Sequence, residues 1–279
     1  MFPFETLPVL QNQKPVFVLA SSQRTGSTLL QRMLNSCPRI MIWGEHLAHL
    51  SVFSREFQSL MEWEIRHADE RTAFLLEGYD TFAPNIMPEV FELVEAARMY
   101  IVGLFGMPAI KLGRPVWGFK EVRYGAQMAL FLQECFPQAR FIHLTRNPLD
   151  CLISMRRLET VPGGWDPEWT VTAIQNWAGI NDTFLKDKGK IHNLFQVKFE
   201  EMIAVPADFI QKLAGFLEIP ERDFDEKVFI KRKSWVEVTD QKMSAQSSET
   251  PGLTDQDRAL LTDDYFVQIA GQYGYQIDI

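Results

Sequence analysis

Short β-like runs alternate with longer helical patterns along this chain, and that alternation leaves few folds open. The runs are "PVFVLA" (15–20), "IMIW" (40–43), "PVWGF" (115–119), "ARFIHLT" (139–145) and "LFQVKF" (194–199). Helical patterns begin near Ser27, Glu45, Met87, Ala126, Pro148, Pro167, Pro206 and Asp255. Parallel strands need crossovers of a dozen or more residues, which helices supply. The order therefore predicts an α/β fold of three layers, a central parallel sheet flanked by helices. Pro148 and Pro206 suit the first helical position, where the missing N–H has no partner to lose. Thr254 followed by Asp257 reads as a capping box opening the last helical region. The stretch 231–253 is polar and aperiodic and reads as a long surface loop that a ligand would order.

A chain of 279 residues is expected to form one domain, 1–279, large enough to fold without disulfides. The β-like runs skip 46–114, so this helical region is expected to build part of a pocket or a lid. A net charge of −8 argues against nucleic acid as a bulk partner. Cys37, Cys135 and Cys151 form no C-x-x-C pair, and an odd, widely spaced set suits a reducing compartment. The N-terminal residues lack a basic n-region and an unbroken apolar core. No apolar run approaches the ~18 residues of a membrane span. The expected location is the cytoplasm.

The segment "SSQRTGSTLL" (21–30) follows the first β-like run and leads into a helical pattern. A strand, a glycine turn and a helix start make an anion site, because free N–H groups of the first turn converge there. Gly26 lets backbone approach an oxygen, Thr25, Ser27 and Thr28 offer hydroxyls, and Arg24 adds a planar, permanent charge. An N-cap cluster beside a solvated arginine is the plainer reading. Two familiar phosphate motifs are missing. The Gly189–Lys190 pair is followed by Ile191, and no two glycines stand as G-x-G. A Walker nucleotidase and a dinucleotide-binding Rossmann domain are thereby disfavoured.

A further strand–turn–helix, "FIHLTRNPLDCLISMRR" (141–157), puts Arg146 at a strand end and Ser154 in the following helix, eight residues on. With both motifs present in this order, residues 15–220 resemble the sulfotransferases that use 3′-phosphoadenosine 5′-phosphosulfate (PAPS). The 21–30 loop is similar to that family's 5′-phosphosulfate loop in its arginine version. That version occurs in tyrosylprotein and several bacterial and carbohydrate sulfotransferases. The 141–157 segment resembles its 3′-phosphate motif, and "LFQVKFEEMIAVPADFIQKLAGFLEIP" (194–220) resembles its strand, acidic turn and helix. The resemblance implies a P-loop-like sulfotransferase fold and transfer from PAPS to a hydroxyl of a small molecule or carbohydrate. Adenosine 3′,5′-bisphosphate (PAP) would be left, and no metal is required. It implies donor contacts from Arg24, Thr25, Gly26, Ser27, Thr28, Arg146, Ser154 and Phe199. Phe199 stands where relatives often have tyrosine; the hydroxyl is lost and ring packing remains.

Chemistry needs a base for the acceptor hydroxyl and positive charge for the leaving phosphate. Arg24 suits the second task by electrostatics alone, since its pKa is too high to donate a proton. Glu45 falls where the resembling tyrosylprotein enzymes carry a glutamate base. His46 is the alternative on the strength of its ordinary pKa, and a mere helix-start role for Glu45 is the third reading. Glu45, His46 and His49 also suggest metal ligands, but no further ligand completes a zinc set. Lys120 is read equally as a contact to sulfate or acceptor and as half of a Lys–Glu pair. Trp177 reads as core. Arg156, Arg157, Lys231, Arg232 and Lys233 read as solvated charge, although one of these or Lys242 is a candidate to close over a 3′-phosphate. A phosphotransferase of P-loop type and a catalytically silent nucleotide-binding module are the rival functions.

Overall fold

The computed structural model describes residues 13–159, 166–230 and 252–278. Five strands form one sheet: β1 (Val16–Ala20), β2 (Ile40–Trp43), β3 (Val116–Glu121), β4 (Arg140–Thr145) and β5 (Leu194–Lys198). Their order is β2-β3-β1-β4-β5, and every pairing is parallel. All five runs read from the sequence become strands, and their carboxyl ends meet at one edge. The chain leaves β1 toward β3 and β2 on one side and returns to β4 and β5 on the other. The crevice beside β1 at this reversal is where open α/β sheets bind ligands.

Alternation along β1 sets the three layers. Phe17 and Leu19 enter one core with Phe119, Phe141 and Trp117, while Val16, Val18 and Ala20 enter the other with Ile40, Ile42, Ile142 and Leu144. The second core is closed by α1 (Ser27–Ser36), which supplies Leu30, Met33 and Leu34.

On the first face lie α2 (His49–Glu77), α3 (Val90–Ile101), a π-helical turn (Val102–Gly106), α4 (Met107–Lys111) and α5 (Ala126–Cys135). The run Val90–Lys111 is long and apolar enough to cross a membrane by length and composition. Here Ala97, Ile101, Val102 and Ala109 sit in the same core as β1 and β3. The buried Arg98 guanidinium donates to the Cys135 carbonyl.

Two helices follow β4 and pack together: α6 (Pro148–Glu159) and α7 (Pro167–Asp187). After β5 come α8 (Phe199–Ala204), α9 (Pro206–Leu217) and α10 (Lys227–Ile230). The chain ends with α11 (Asp255–Leu261) and α12 (Asp264–Gln272), which pack on α6 and α7 around Trp177, Phe266 and Ile269. Pro148, Pro167 and Pro206 each occupy the first helical position. The Thr254–Asp257 capping box opens α11 as its sequence predicts.

Three expectations need revision or fall outside. The helix expected from Glu45 begins at His49, because Leu47 (φ 54°) and Ala48 (φ 57°) turn left-handed. Arg156 is not solvated: it is buried, donating from Nη2 to Asp257 at 2.5 Å and from Nη1 to Glu159 at 2.9 Å, which takes it away from any phosphate. The loop of 231–253 lies outside the described residues up to 251, and with it Lys231, Arg232, Lys233 and Lys242. Cys37, Cys135 and Cys151 are all buried free thiols.

Candidate active site

The loop after β1 is pinned at both ends before it offers anything to a ligand. Ser21 N–H donates to the Leu144 carbonyl at 3.0 Å, and Ser22 Oγ donates to the Ala173 carbonyl at 2.9 Å. Thr25 is fully buried and its hydroxyl donates to the Ser22 carbonyl at 3.0 Å, so that side chain holds the loop. Gly26 is the N-cap of α1, at φ 85° and ψ 12°, with no side-chain capping bond. The first-turn N–H groups of α1 therefore lack the side-chain acceptor that usually satisfies them. Ser27 is buried and Thr28 exposed at this end.

Arg24, itself left-handed at φ 63°, turns its side chain toward the loop that follows β4. Its Nε donates to Ser154 Oγ at 3.0 Å, and Arg146 Nη1 donates back to the Arg24 carbonyl at 2.9 Å. Two guanidinium groups and one hydroxyl from distant segments thus share one corner. Burial first, and the like charge of Arg146 second, push the Arg24 pKa below the ordinary arginine value. The nearest acid, Asp150, stands 3.9 Å from Arg146 and is half exposed. Arg146 Nε and Ser21 Oγ are buried with no partner among the described residues. An uncapped helix start, two crowded cations and orphaned donors form a donor-rich corner that suits a multiply charged anion.

Phe199 joins the two loops. The Arg146 guanidinium lies over its ring, 4.5 Å from the centroid. A Cβ built on Gly26 would fall 2.2 Å from that ring, so no other residue type fits at 26 without displacing Phe199. Trp177 is core, as expected, and its indole N–H also donates to the Arg146 carbonyl at 3.0 Å.

Glu45 lies on the loop after β2. Its side chain is about one-third exposed and is held by Lys120 Nζ at 2.5 Å and Arg123 Nη1 at 3.2 Å. Lys120 is nearly buried, so the Lys–Glu pair exists, but with Glu45 and not with its neighbour Glu121. His46 places Nε2 2.8 Å from the Tyr124 hydroxyl, beside Phe119 and Phe105. Burial pushes its pKa down, against the pull of Glu121, so the ring is held neutral. The Glu45, His46 and His49 set does not gather as metal ligands: Glu45 is engaged by two cations and His46 by Tyr124.

Sequence reasoning missed what holds Glu45 in place. The fully buried Glu121 carboxylate accepts N–H bonds from His46 (3.1 Å), Ala48 (2.9 Å) and Val122 (2.8 Å) and from Arg123 Nη1 (2.7 Å). Burial opposes its ionisation, but those donors outweigh burial and keep its pKa low. Glu121 thus holds the left-handed turn at Leu47–Ala48 that follows Glu45. Its only trace in sequence is its place between Lys120 and Arg123.

A sulfotransferase family model matches residues 15–223, which include all five strands, both loops and Glu45. The chain belongs to the sulfotransferase family. No curated protein matches this sulfotransferase. Its fold is that of solved sulfotransferases at low identity. The sulfotransferase domain from the curacin biosynthetic pathway matches at 18% identity and TM-score 0.50, covering 96% of this chain and 100% of that one. The sulfotransferase domain of the Synechococcus PCC 7002 olefin synthase matches at 19% and 0.51, covering 96% and 97%. Sulfotransferase STF9 from Mycobacterium avium matches at 14% and 0.51, covering 98% and 80%.

Proposed function

We propose that this sulfotransferase uses PAPS as donor and transfers its sulfuryl group to a hydroxyl of a small molecule or carbohydrate, releasing PAP. The observation that carries the reading is the Arg24–Ser154–Arg146 corner, where two loops each offering charge and hydroxyl meet. PAPS has charge at both its 5′ and 3′ positions and supplies an activated sulfur at the 5′ end. The 21–28 loop and the uncapped α1 start would hold the 5′ end, and Arg146 with Ser154 the 3′-phosphate. Phe199, already stacked on Arg146, would pack near the nucleoside.

Arg24 is the group to meet charge on the departing phosphate oxygen, because its low-dielectric setting strengthens that interaction. Glu45 is the base assigned to take the acceptor's hydroxyl proton as the acceptor oxygen bonds to sulfur and the sulfur–phosphate oxygen bond breaks. Its partial exposure supports it over His46, whose Nε2 is engaged with Tyr124. Lys120 is paired with Glu45 and would orient it. The 49–111 helices, flanking that loop, would form the acceptor side.

Calorimetry tests the reading directly. PAP should bind far more tightly than adenosine 5′-phosphate or ATP, and labelled PAPS should yield a sulfated hydroxyl in an acceptor screen. Equal affinity for ATP, or no loss on removing the 3′-phosphate, would refute it.

A further inference from the structure

Tyr275 lies beyond the family-model match, yet it packs at the strand end that leads into Arg146. Tyr275, nearly buried, donates its hydroxyl proton to Glu200 Oε2 at 3.1 Å. The Thr145 hydroxyl stands 3.3 Å from the Tyr275 oxygen and 3.5 Å from the Val197 carbonyl, to which it also donates. The other Glu200 oxygen accepts the Asn147 N–H at 2.8 Å. Thr145 and Asn147 are the two neighbours of Arg146 in sequence. The Arg146 carbonyl is held from a third direction by Trp177, whose ring packs edge-on against Tyr275 at 6.2 Å. Lys198 lies over the Tyr275 ring at 5.1 Å, closing the far side. Burial, and then the charge of Glu200, raise the Tyr275 pKa, so the hydroxyl keeps its proton and remains a donor.

We propose that Tyr275 is a positioning residue for the donor: through Glu200 and Thr145 it fixes the backbone on both sides of Arg146 and so aims that guanidinium. The inference rests on the PAPS reading above. It makes the C-terminal segment part of the nucleotide site without touching the nucleotide. A free Arg146 side chain can sample many rotamers, and each ordered one is favoured only if its backbone is fixed. Removing the hydroxyl leaves the ring and its packing in place but releases Glu200 Oε2 and the Thr145 hydroxyl, loosening the hold on both sides of Arg146.

The test is a double-mutant cycle on the full chain, using PAP as the probe and PAPS for kinetics. Tyr275→Phe should raise the PAP Kd and the PAPS KM together by about 5- to 10-fold, with kcat within about twofold of wild type. In an Arg146→Ala background the same substitution should cost nothing further, because its effect runs through Arg146. Glu200→Gln, which keeps an acceptor for Asn147, should reproduce part of the loss. An unchanged Kd in Tyr275→Phe overturns the proposal, as does an equal loss in both backgrounds. A lowered Tm with Kd intact also overturns it, since that is what a merely structural tyrosine gives. Wild-type protein that ignores PAP would instead sink the PAPS reading, and this inference with it.

Discussion

Arg24 and Ser154, 130 residues apart in the chain, are joined by a 3.0 Å hydrogen bond from Nε to Oγ. The bond fixes the orientation of a guanidinium whose terminal nitrogens make no hydrogen bond among the described residues. Ser154→Ala should therefore cost about 0.5–1.5 kcal/mol in kcat/KM, a few- to tenfold, from lost aim with charge unchanged. Arg24→Ala should lose much more in single-turnover rate than in PAP affinity, because its contribution grows as charge develops. Arg24→Lys should recover part of the rate by restoring charge without the planar fork. Affinity falling in step with rate in both Arg24 variants would mark a structural arginine instead.

Arg146 and Glu45 are expected to separate binding from turnover. Arg146→Ala should weaken PAP binding by about 1.5–3 kcal/mol, the range for a charge-assisted contact. Glu45→Gln should lower kcat by ~10²–10⁴-fold while PAP affinity stays put. Glu45→Ala should match that rate loss and also lower Tm, because it strands the nearly buried Lys120. Wild-type turnover in Glu45→Gln would move the base role to His46 or remove it.

Gly26→Ala introduces two separate faults. The left-handed φ of 85° strains any residue with a Cβ by about 1–2 kcal/mol. The added Cβ also meets the Phe199 ring. Pairing Gly26→Ala with Phe199→Ala should relieve the clash but not the strain. The double variant should then melt higher than additivity of the single losses predicts, as thermal denaturation of all four proteins would reveal.

Stability should fall in mild acid through a residue remote from any ligand. His143 is fully buried, stacked on Phe184, with Nδ1 3.0 Å from the Leu19 carbonyl and Nε2 3.0 Å from Asn181 Oδ1. Desolvation holds its pKa at about 4 in the folded protein. An unfolded histidine takes its proton near ~6.5. The unfolded state thus binds more protons between these values, so stability is intact above ~6.5 and declines as pH falls toward 4, by about 3 kcal/mol in all. Urea titrations at stepped pH should show a shallower decline in His143→Gln than in wild type.

Much of this architecture is local enough to read from the chain. Each strand is a contiguous apolar run, and Arg24, Gly26, Arg146 and Ser154 sit at fixed offsets from strand ends. The Trp177 core position follows from its apolar helix face. What the sequence hides depends on partners far apart. Glu121 reaches back 75 residues to His46, and no periodicity marks a glutamate that receives four N–H donors. Arg156 resembles surface charge until α11 brings Asp257 against it across 101 residues. The helix expected at Glu45 starts late because tertiary bonds to Glu121 override local helical preference. Tyr275 carries no local signal, since its partners, Thr145 at the end of β4 and Glu200 in α8, lie 130 and 75 residues away.

The sheet order separates the two groups of the candidate site. Arg24, Ser154 and Arg146 belong to β1, β4 and the segments that follow them, whereas Glu45, Lys120 and the 49–111 helices belong to β2 and β3. The two groups lie on opposite sides of β1 rather than forming one interwoven unit. Substitutions that reshape the helical side alter what approaches Glu45 and leave the arginine corner standing. On the proposed reading, acceptor choice and donor binding therefore reside in opposite halves of one sheet.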